Sequence, residues 1–343
     1  MSPSDAVRAS LYTNSALISA AAALVLPNVP AYVYAHGGDA LLASVVLSSF
    51  SVTMTLTTLK SPEIIEGRPA GVPVCLGCLG YGWALLPYLL HPTVGTLAAA
   101  RAVQGVCSGF SFPANLATAL QLGRRTVALN NMISNAGFVG GYALSSYVKD
   151  PFGDCFLLSV VSAVTALPLL KLTLKPMEIV SEERGYRVIP WAALSLTFAS
   201  TLPNSAITLI APKVEPHGYG PLIAAMTAAG GVAQLAGPTL GEIPAIAASA
   251  ALCALTMITG MNWVGVLAAG AATGLMYYAA NVLSGGGRGV RSVSIAIGVG
   301  YAVNQVIVGA VMSEGLNGWT FANAAALALV LTTTAAVIPR IRR

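Results

Sequence analysis

Apolar runs of about twenty residues follow one another along nearly the whole chain, with only short polar interruptions. Coiled as a helix, a run of that length matches the ~30 Å hydrocarbon core of a bilayer. The first six lie near 11–34, 40–59, 71–90, 93–121, 127–148 and 152–174. A second six lie near 188–212, 219–240, 243–261, 263–284, 292–313 and 317–338. The expected fold class is therefore an all-α membrane protein of twelve transmembrane helices. Composition agrees: 56% of the 343 residues are hydrophobic and 8% are charged, against roughly 25% charged in a soluble domain. The twelve Asp and Glu fall at expected helix ends, in loops or near the N-terminus, so the loops supply the solvation.

The apolar stretch after Arg8 continues to about Tyr34 with no small-residue cleavage site, and reads as a first membrane helix rather than a secretory signal. A net charge of +5 is spread along the chain, with no aromatic or Gly-rich nucleotide motif beside it. The expected partners are membrane lipids and a small-molecule solute, not nucleic acid, and a monomer is expected. Cys75, Cys78, Cys107, Cys155 and Cys253 lie within or at the ends of expected helices and read as small packing residues. Gly285-Gly286-Gly287 lacks the strand, lysine and helix of a phosphate loop. His36, His91 and His217 sit at expected outer ends with no nucleophile–base or metal-ligand spacing. Neither an enzyme, nor a cofactor, nor a metal site is expected.

One extended polar stretch, Lys171 to Arg187, separates the two sets of runs. It divides the chain into an N-terminal six-helix half (1–174), a cytoplasmic linker (175–187) and a C-terminal six-helix half (188–343). Orientation follows from the basic residues, which are retained on the cytoplasmic side. Of the 17 Lys and Arg, two (Lys149 and Lys213) fall in outer loops if the N-terminus is inside, Arg101 lies inside a helix, and the rest are inner. A multi-pass protein of the cell membrane with both termini cytoplasmic is expected.

The halves also repeat. Leu26-Pro27-Asn28 in the first helix recurs as Leu202-Pro203-Asn204 in the seventh, 176 residues on, and each is followed by a His-Gly. Parallel repeats are one recognised transporter plan. In the fourth helix, Arg101-Ala-Val-Gln104-Gly105-Val-Cys107 resembles the R-x-x-Q-G-x-G motif of the major facilitator superfamily, with Cys107 at the second glycine. In the fifth, Gly137 through Ser146 resembles that family's G-x-x-x-G-P-x-x-G-G motif, with Tyr142 at the proline. The signature loop after the second helix is represented by Glu63 to Arg68, with Ile64 at its usual aspartate. The resemblance implies two six-helix halves and transport by alternating access, with the first and seventh helices facing a central cavity.

The candidate pathway residues are polar groups in these helices. A charge inside a membrane helix costs at least ~2.5–3.5 kcal/mol unless it faces a cavity or finds a partner. Arg101 should therefore point inward. Gln104, Ser108, Ser111 and Asn115 follow it at spacings of three and four, forming one stripe. The alternative is an arginine that snorkels or ties helix ends together. Asn28 and Asn204 each follow a proline, so each LPN marks a kink or break, a pointer to a midplane site, unless the Asn only satisfies a freed carbonyl. Asn14 extends that stripe. Adding 176 to Arg101 reaches Tyr277 in the tenth helix, with Asn281 one turn on. Asn131 and Asn135 in the fifth helix, beside Asn130, have Asn304 and Gln305, beside Tyr301, as counterparts in the eleventh, and Gln234 lies in the eighth. Interhelical hydrogen bonding is the competing role for all of these. Gly137 and Gly141 read as a close-packing pair.

The function expected is a secondary active or facilitative transporter of a small anionic or polar solute. With no carboxylate or histidine near mid-depth, uniport or coupling through substrate charge at Arg101 is expected. The alternative is a non-transporting membrane scaffold or receptor with the same fold, to which the degenerate loop motif points.

Overall fold

A computed structural model describes residues 3–174, 190–216, 218–283 and 287–341. The expected linker at 175–187 lies outside the described residues, as do His217 and most of the triglycine turn. Among the described residues the chain is all helical, apart from one isolated antiparallel bridge between Pro69 and Thr173. The α-helices are α1 (Pro3–Ala35), α2 (Ala40–Ile65), α3 (Gly71–Trp83), α4 (Leu86–Leu90), α5 (Val94–Leu122), α6 (Arg124–Ser145) and α7 (Pro151–Thr165). They continue with α8 (Pro190–Val214), α9 (Tyr219–Leu240), α10 (Glu242–Thr259), α11 (Trp263–Leu283), α12 (Gly287–Ser313) and α13 (Gly318–Ile341).

Local chemistry sets the ends. Thr93 caps α5 through a reciprocal capping box with Thr96, and Asp150 accepts from the Gly153 amide ahead of Pro151 at the start of α7. α9 and α10 are separated by Gly241 alone, at φ 81°, a conformation a side chain would strain. Two expected segments are interrupted. The third becomes α3 and α4 because the ring of Pro87 opposes the carbonyl four residues earlier, at Trp83, where α3 ends. Pro168 acts likewise after α7, and the chain tightens into a 3-10 turn at Leu167–Lys171.

Pro27 and Pro203 do not break their helices. α1 and α8 run unbroken through both LPN sequences. In each, the Asn amide donates to a carbonyl of its own helix, Asn28 to Leu24 at 2.6 Å and Asn204 to Ser200 at 3.2 Å. Each amide bonds the carbonyl one residue past the one its proline leaves free.

Ten segments are long and apolar enough to cross a membrane by length and composition. α5 and α6 are as long but more polar, because α5 carries the Arg101 stripe and α6 carries Asn130, Asn131, Ser134 and Asn135.

The chain divides into two compact units, one of Met1–His36 with Val45–Glu178, the other of Gly37–Ser44 with Ile179–Arg343. In the first, α1 packs on α5, α6 and α7, and α3 packs on α5 and α7. In the second, α8 packs on α11, α12 and α13, while α10 packs on α11 and α13. The same neighbours recur in the same order. Glycines permit the tightest of these approaches. Gly105 and Gly109 of α5 lie against the backbone of α2 at Phe50 and Met54, and Gly270 and Gly274 of α11 lie against the backbone of α9 at Met226 and Gly230. The expected pair Gly137 and Gly141 lies against α1 at Ala16 and Ala20.

This register revises the sequence pairing of Arg101 with Tyr277. The glycine pairs of α5 and α11 are 165 residues apart, since 270 − 105 and 274 − 109 agree, rather than 176. On that register Val266, fully buried, is the counterpart of Arg101. Unequal connections account for part of the difference: α2 and α3 are joined by a segment from Glu66 to Ala70, whereas α9 and α10 are joined by Gly241 alone.

At the end of the first unit where the signature loop stands, backbone hydrogen bonds join the loop to residues 172–174. The Gly67 amide donates to the Leu174 carbonyl and the Leu174 amide to the Arg68 carbonyl, both at 2.9 Å, and the Ala70 amide donates to Leu172. The nearby Lys60–Glu63 contact is 3.9 Å long and exposed on both sides, a pair of little energetic weight.

Candidate functional site: a sealed arginine and two neutral polar walls

The α5 stripe is placed in the interior of the first unit. Arg101, Gln104, Ser108, Ser111 and Asn115 are all buried. Arg101 is 1% exposed, its guanidinium carbon 4.3 Å from the centre of the Phe50 ring. Its Nη1 donates to Gln104 Oε1 at 2.7 Å and, at 3.4 Å, to the Tyr81 hydroxyl. Gln104 Nε2 donates in turn to the Tyr81 carbonyl at 3.1 Å, fixing the acceptor toward the arginine. Phe50 and Tyr81 meet edge to face, centroids 6.4 Å apart. Arg101 Nε is buried with no partner. The cation is thus held by a ring face, an amide and a phenol, with no carboxylate partner among the described residues, in a site built by α2, α3 and α5.

A second seam lies further along the same stripe. Asn115 donates to Asn14 Oδ1 at 3.0 Å, and Asn14 Nδ2 donates to the hydroxyl and the carbonyl of Ser162 at 2.8 and 2.9 Å. This ties α1, α5 and α7 together, with Cys78 of α3 at 3.3 Å from the Asn14 amide. Ser15 donates to Asn130 at 2.7 Å, joining α1 and α6. Asn28, half-buried, adds a bond to the Ser145 carbonyl at 3.0 Å. Asn131 and Asn135 are off this seam: Asn131 is exposed and Asn135 half-buried, one turn apart on a common strip of α6.

In the second unit, Asn304 is buried and donates to Thr201 Oγ1 at 2.7 Å and to the Phe198 carbonyl at 3.0 Å, joining α12 to α8. Gln305 is also buried. Tyr277, Asn281 and Tyr301 are half-buried. The Asn281 amide donates to the Tyr277 carbonyl one turn back at 3.0 Å, and the phenol of Tyr301 lies within electrostatic reach of Tyr277. α11 and α12 therefore bring two phenols and an amide together. Asn204 and Gln234 are half-buried on α8 and α9.

Sequence reasoning missed Phe50 and Tyr81, the partners of Arg101, and Thr201, the partner of Asn304. Tyr81 precedes an apolar tract and Phe50 ends one, so neither carries a polar pattern. Three or more His, Cys, Asp or Glu do not come together anywhere among the described residues.

No protein-family model and no curated protein matches the sequence. Solved structures do. A point-mutant form of the nucleoside transporter NupG is 11% identical, with a TM-score of 0.71 over 97% of this chain and 99% of that one. A POT family transporter in complex with 5-aminolevulinic acid is 12% identical, with a TM-score of 0.75 over 98% and 96%. A bacterial homologue of the iron transporter ferroportin is 15% identical, with a TM-score of 0.61 over 98% and 100%. These three neighbours are transporters, and the chain shares their all-helical fold over nearly its whole length.

Proposed function

We propose that the protein is a secondary active or facilitative transporter that moves a small polar solute across the cell membrane by alternating access of two six-helix halves. α5 and α6 span alongside the ten apolar segments, making twelve, and both termini are cytoplasmic. The protein acts as a monomer. The observation that carries this reading is the likeness over nearly the whole of each chain to a nucleoside transporter, a POT family transporter in complex with 5-aminolevulinic acid and a bacterial homologue of an iron transporter.

The candidate lining comprises Asn28, Asn131, Asn135, Asn204, Gln234, Tyr277 and Asn281, each half-buried or exposed. With no carboxylate or histidine near mid-depth in the described spans, uniport is the mode proposed. The test is solute uptake into proteoliposomes, with thermal-shift screening to choose the solutes. Saturable uptake abolished in an Asn204→Leu, Asn281→Leu double variant that still folds is the expected result. Diffusional leak alone, indistinguishable from protein-free vesicles, would favour a non-transporting scaffold or receptor, a reading that the burial of the whole Arg101 stripe also supports.

A further inference from the structure

We infer that the pathway takes an uncharged, hydrogen-bonding solute, an inference that rests on the transport reading above. Arg101 is the one charge among the described residues set deep in a helix, seven residues beyond Val94. Every other described charge within a candidate span lies within four residues of that span's end, as Arg8, Lys60, Asp154, Lys213 and Glu242 do. The Arg101 charge is spoken for inside the first unit. Its Nη1 bonds go to Gln104 and Tyr81, its face lies on Phe50, and its side chain is sealed at 1% exposure.

What remains half-buried at mid-helix is neutral. Asn28 stands in the middle of the C-terminal half of α1 and Asn204 just past the middle of α8, while Tyr277 and Asn281 stand one turn apart on α11, within electrostatic reach of Tyr301 on α12. Amides and phenols each donate and accept. They can therefore exchange bonds with hydroxyls, amides or ring nitrogens of a neutral molecule. A carboxylate or phosphate stripped of water needs a cation or several convergent donors, and a bare ammonium needs acceptors of opposite charge. The neutral wall offers neither. Arg101 is accordingly a positioning residue, holding α2, α3 and α5 together, rather than a ligand for an anion.

The test reads the charge of the pathway without knowing the solute. Single cysteines are placed at Asn204→Cys and Asn281→Cys, with His91→Cys as an exposed reference at an outer helix end. The protein is held in phosphatidylcholine nanodiscs, and the parent chain serves as the blank. Rates of modification by anionic sulfonatoethyl methanethiosulfonate and cationic trimethylammonioethyl methanethiosulfonate are measured at each site. An anion-to-cation rate ratio within about threefold of that at His91→Cys is expected. A larger preference for either reagent overturns the inference, since an unscreened charge within ~10 Å at an effective dielectric near 20 shifts the ratio by well over tenfold. If neither lining cysteine reacts with either reagent while His91→Cys does, the transport reading itself fails, because no aqueous path reaches the wall. Arg101→Gln supplies a second readout: the ratio at Asn281→Cys should stay the same. A loss of anion preference there, retained by Arg101→Lys, would return the arginine to the pathway.

Discussion

Arg101 shows what a residue pattern specifies and what it omits. The spacing from Arg101 to Asn115 places five polar groups on one face of α5, but a face is defined only relative to its own helix axis. Whether it meets water or another helix depends on Phe50, Tyr81, Asn14 and Ser162, which come from α2, α3, α1 and α7. No local pattern in α5 encodes them. With those partners the site makes demands that charge alone does not meet. Arg101→Lys keeps the cation but loses the flat stacking on Phe50 and the fixed fork toward Gln104 and Tyr81. Thermal unfolding of the purified protein should show a loss of about 1–2 kcal/mol, and a melting temperature equal to that of the parent would contradict the site as drawn. The Asn14–Asn115 pair is measured differently, because removing either amide also strands Ser162 or its neighbours. A double-mutant cycle with Asn14→Ala and Asn115→Ala should give a coupling of about 0.6–1.7 kcal/mol, the range seen for interhelical bonds in a membrane. Strict additivity would mean the amides do not meet.

At the scale of the element, helix existence is legible and helix continuity is not. The apolar runs predict each segment, since bilayer thickness fixes their length. Proline is the ambiguous signal. Pro87 and Pro168 end helices, whereas Pro27, Pro113 and Pro203 sit inside unbroken ones. In α1 and α8 the following Asn side chain donates to the carbonyl four residues before itself, one residue past the carbonyl that the proline leaves free. The internal repeat is legible in the LPN pair but its register drifts by α11, since short connections differ between the halves. Glycine pairs give a firmer register because they report backbone approach. Gly274 lies so close to the Gly230 carbonyl that any side chain must push α9 and α11 apart. Gly274→Val should therefore cost about 2–4 kcal/mol, in line with overpacked interiors and their rearrangement. Gly140, one residue before Gly141, has open space around its missing Cβ. There Gly140→Ala should be neutral or stabilise by up to about 1 kcal/mol. Equal effects of the two substitutions on unfolding temperature would show that helix propensity, rather than packing, governs these sites.

For the whole molecule the proposal turns on α5 and α6 crossing the bilayer, because ten segments among the described residues are apolar enough to span and twelve are proposed. Their polarity has a structural cause. The α5 groups are turned onto α1, α2, α3 and α7, and Asn130 of α6 onto α1, so the polar atoms are satisfied by protein and not presented to lipid. A helix of this kind crosses once its neighbours are in place, as the membrane requires only that backbone and side-chain polar groups find partners. The two arrangements differ at a single turn. If both helices span, the Gly123 turn joining them lies on the cytoplasmic side, opposite the turns at His91 and Lys149. If neither spans, all three lie on the same face. Arg125 is exposed beside that turn, and His91 and Lys149 mark the other two. In intact cells, a membrane-impermeant maleimide should label His91→Cys and Lys149→Cys and leave Arg125→Cys untouched until the membrane is permeabilised. Labelling of all three from outside would remove α5 and α6 from the membrane and leave ten spans. Labelling of Arg125→Cys alone would invert the molecule, placing both termini outside and setting the positive-inside distribution of its basic residues against the bilayer potential.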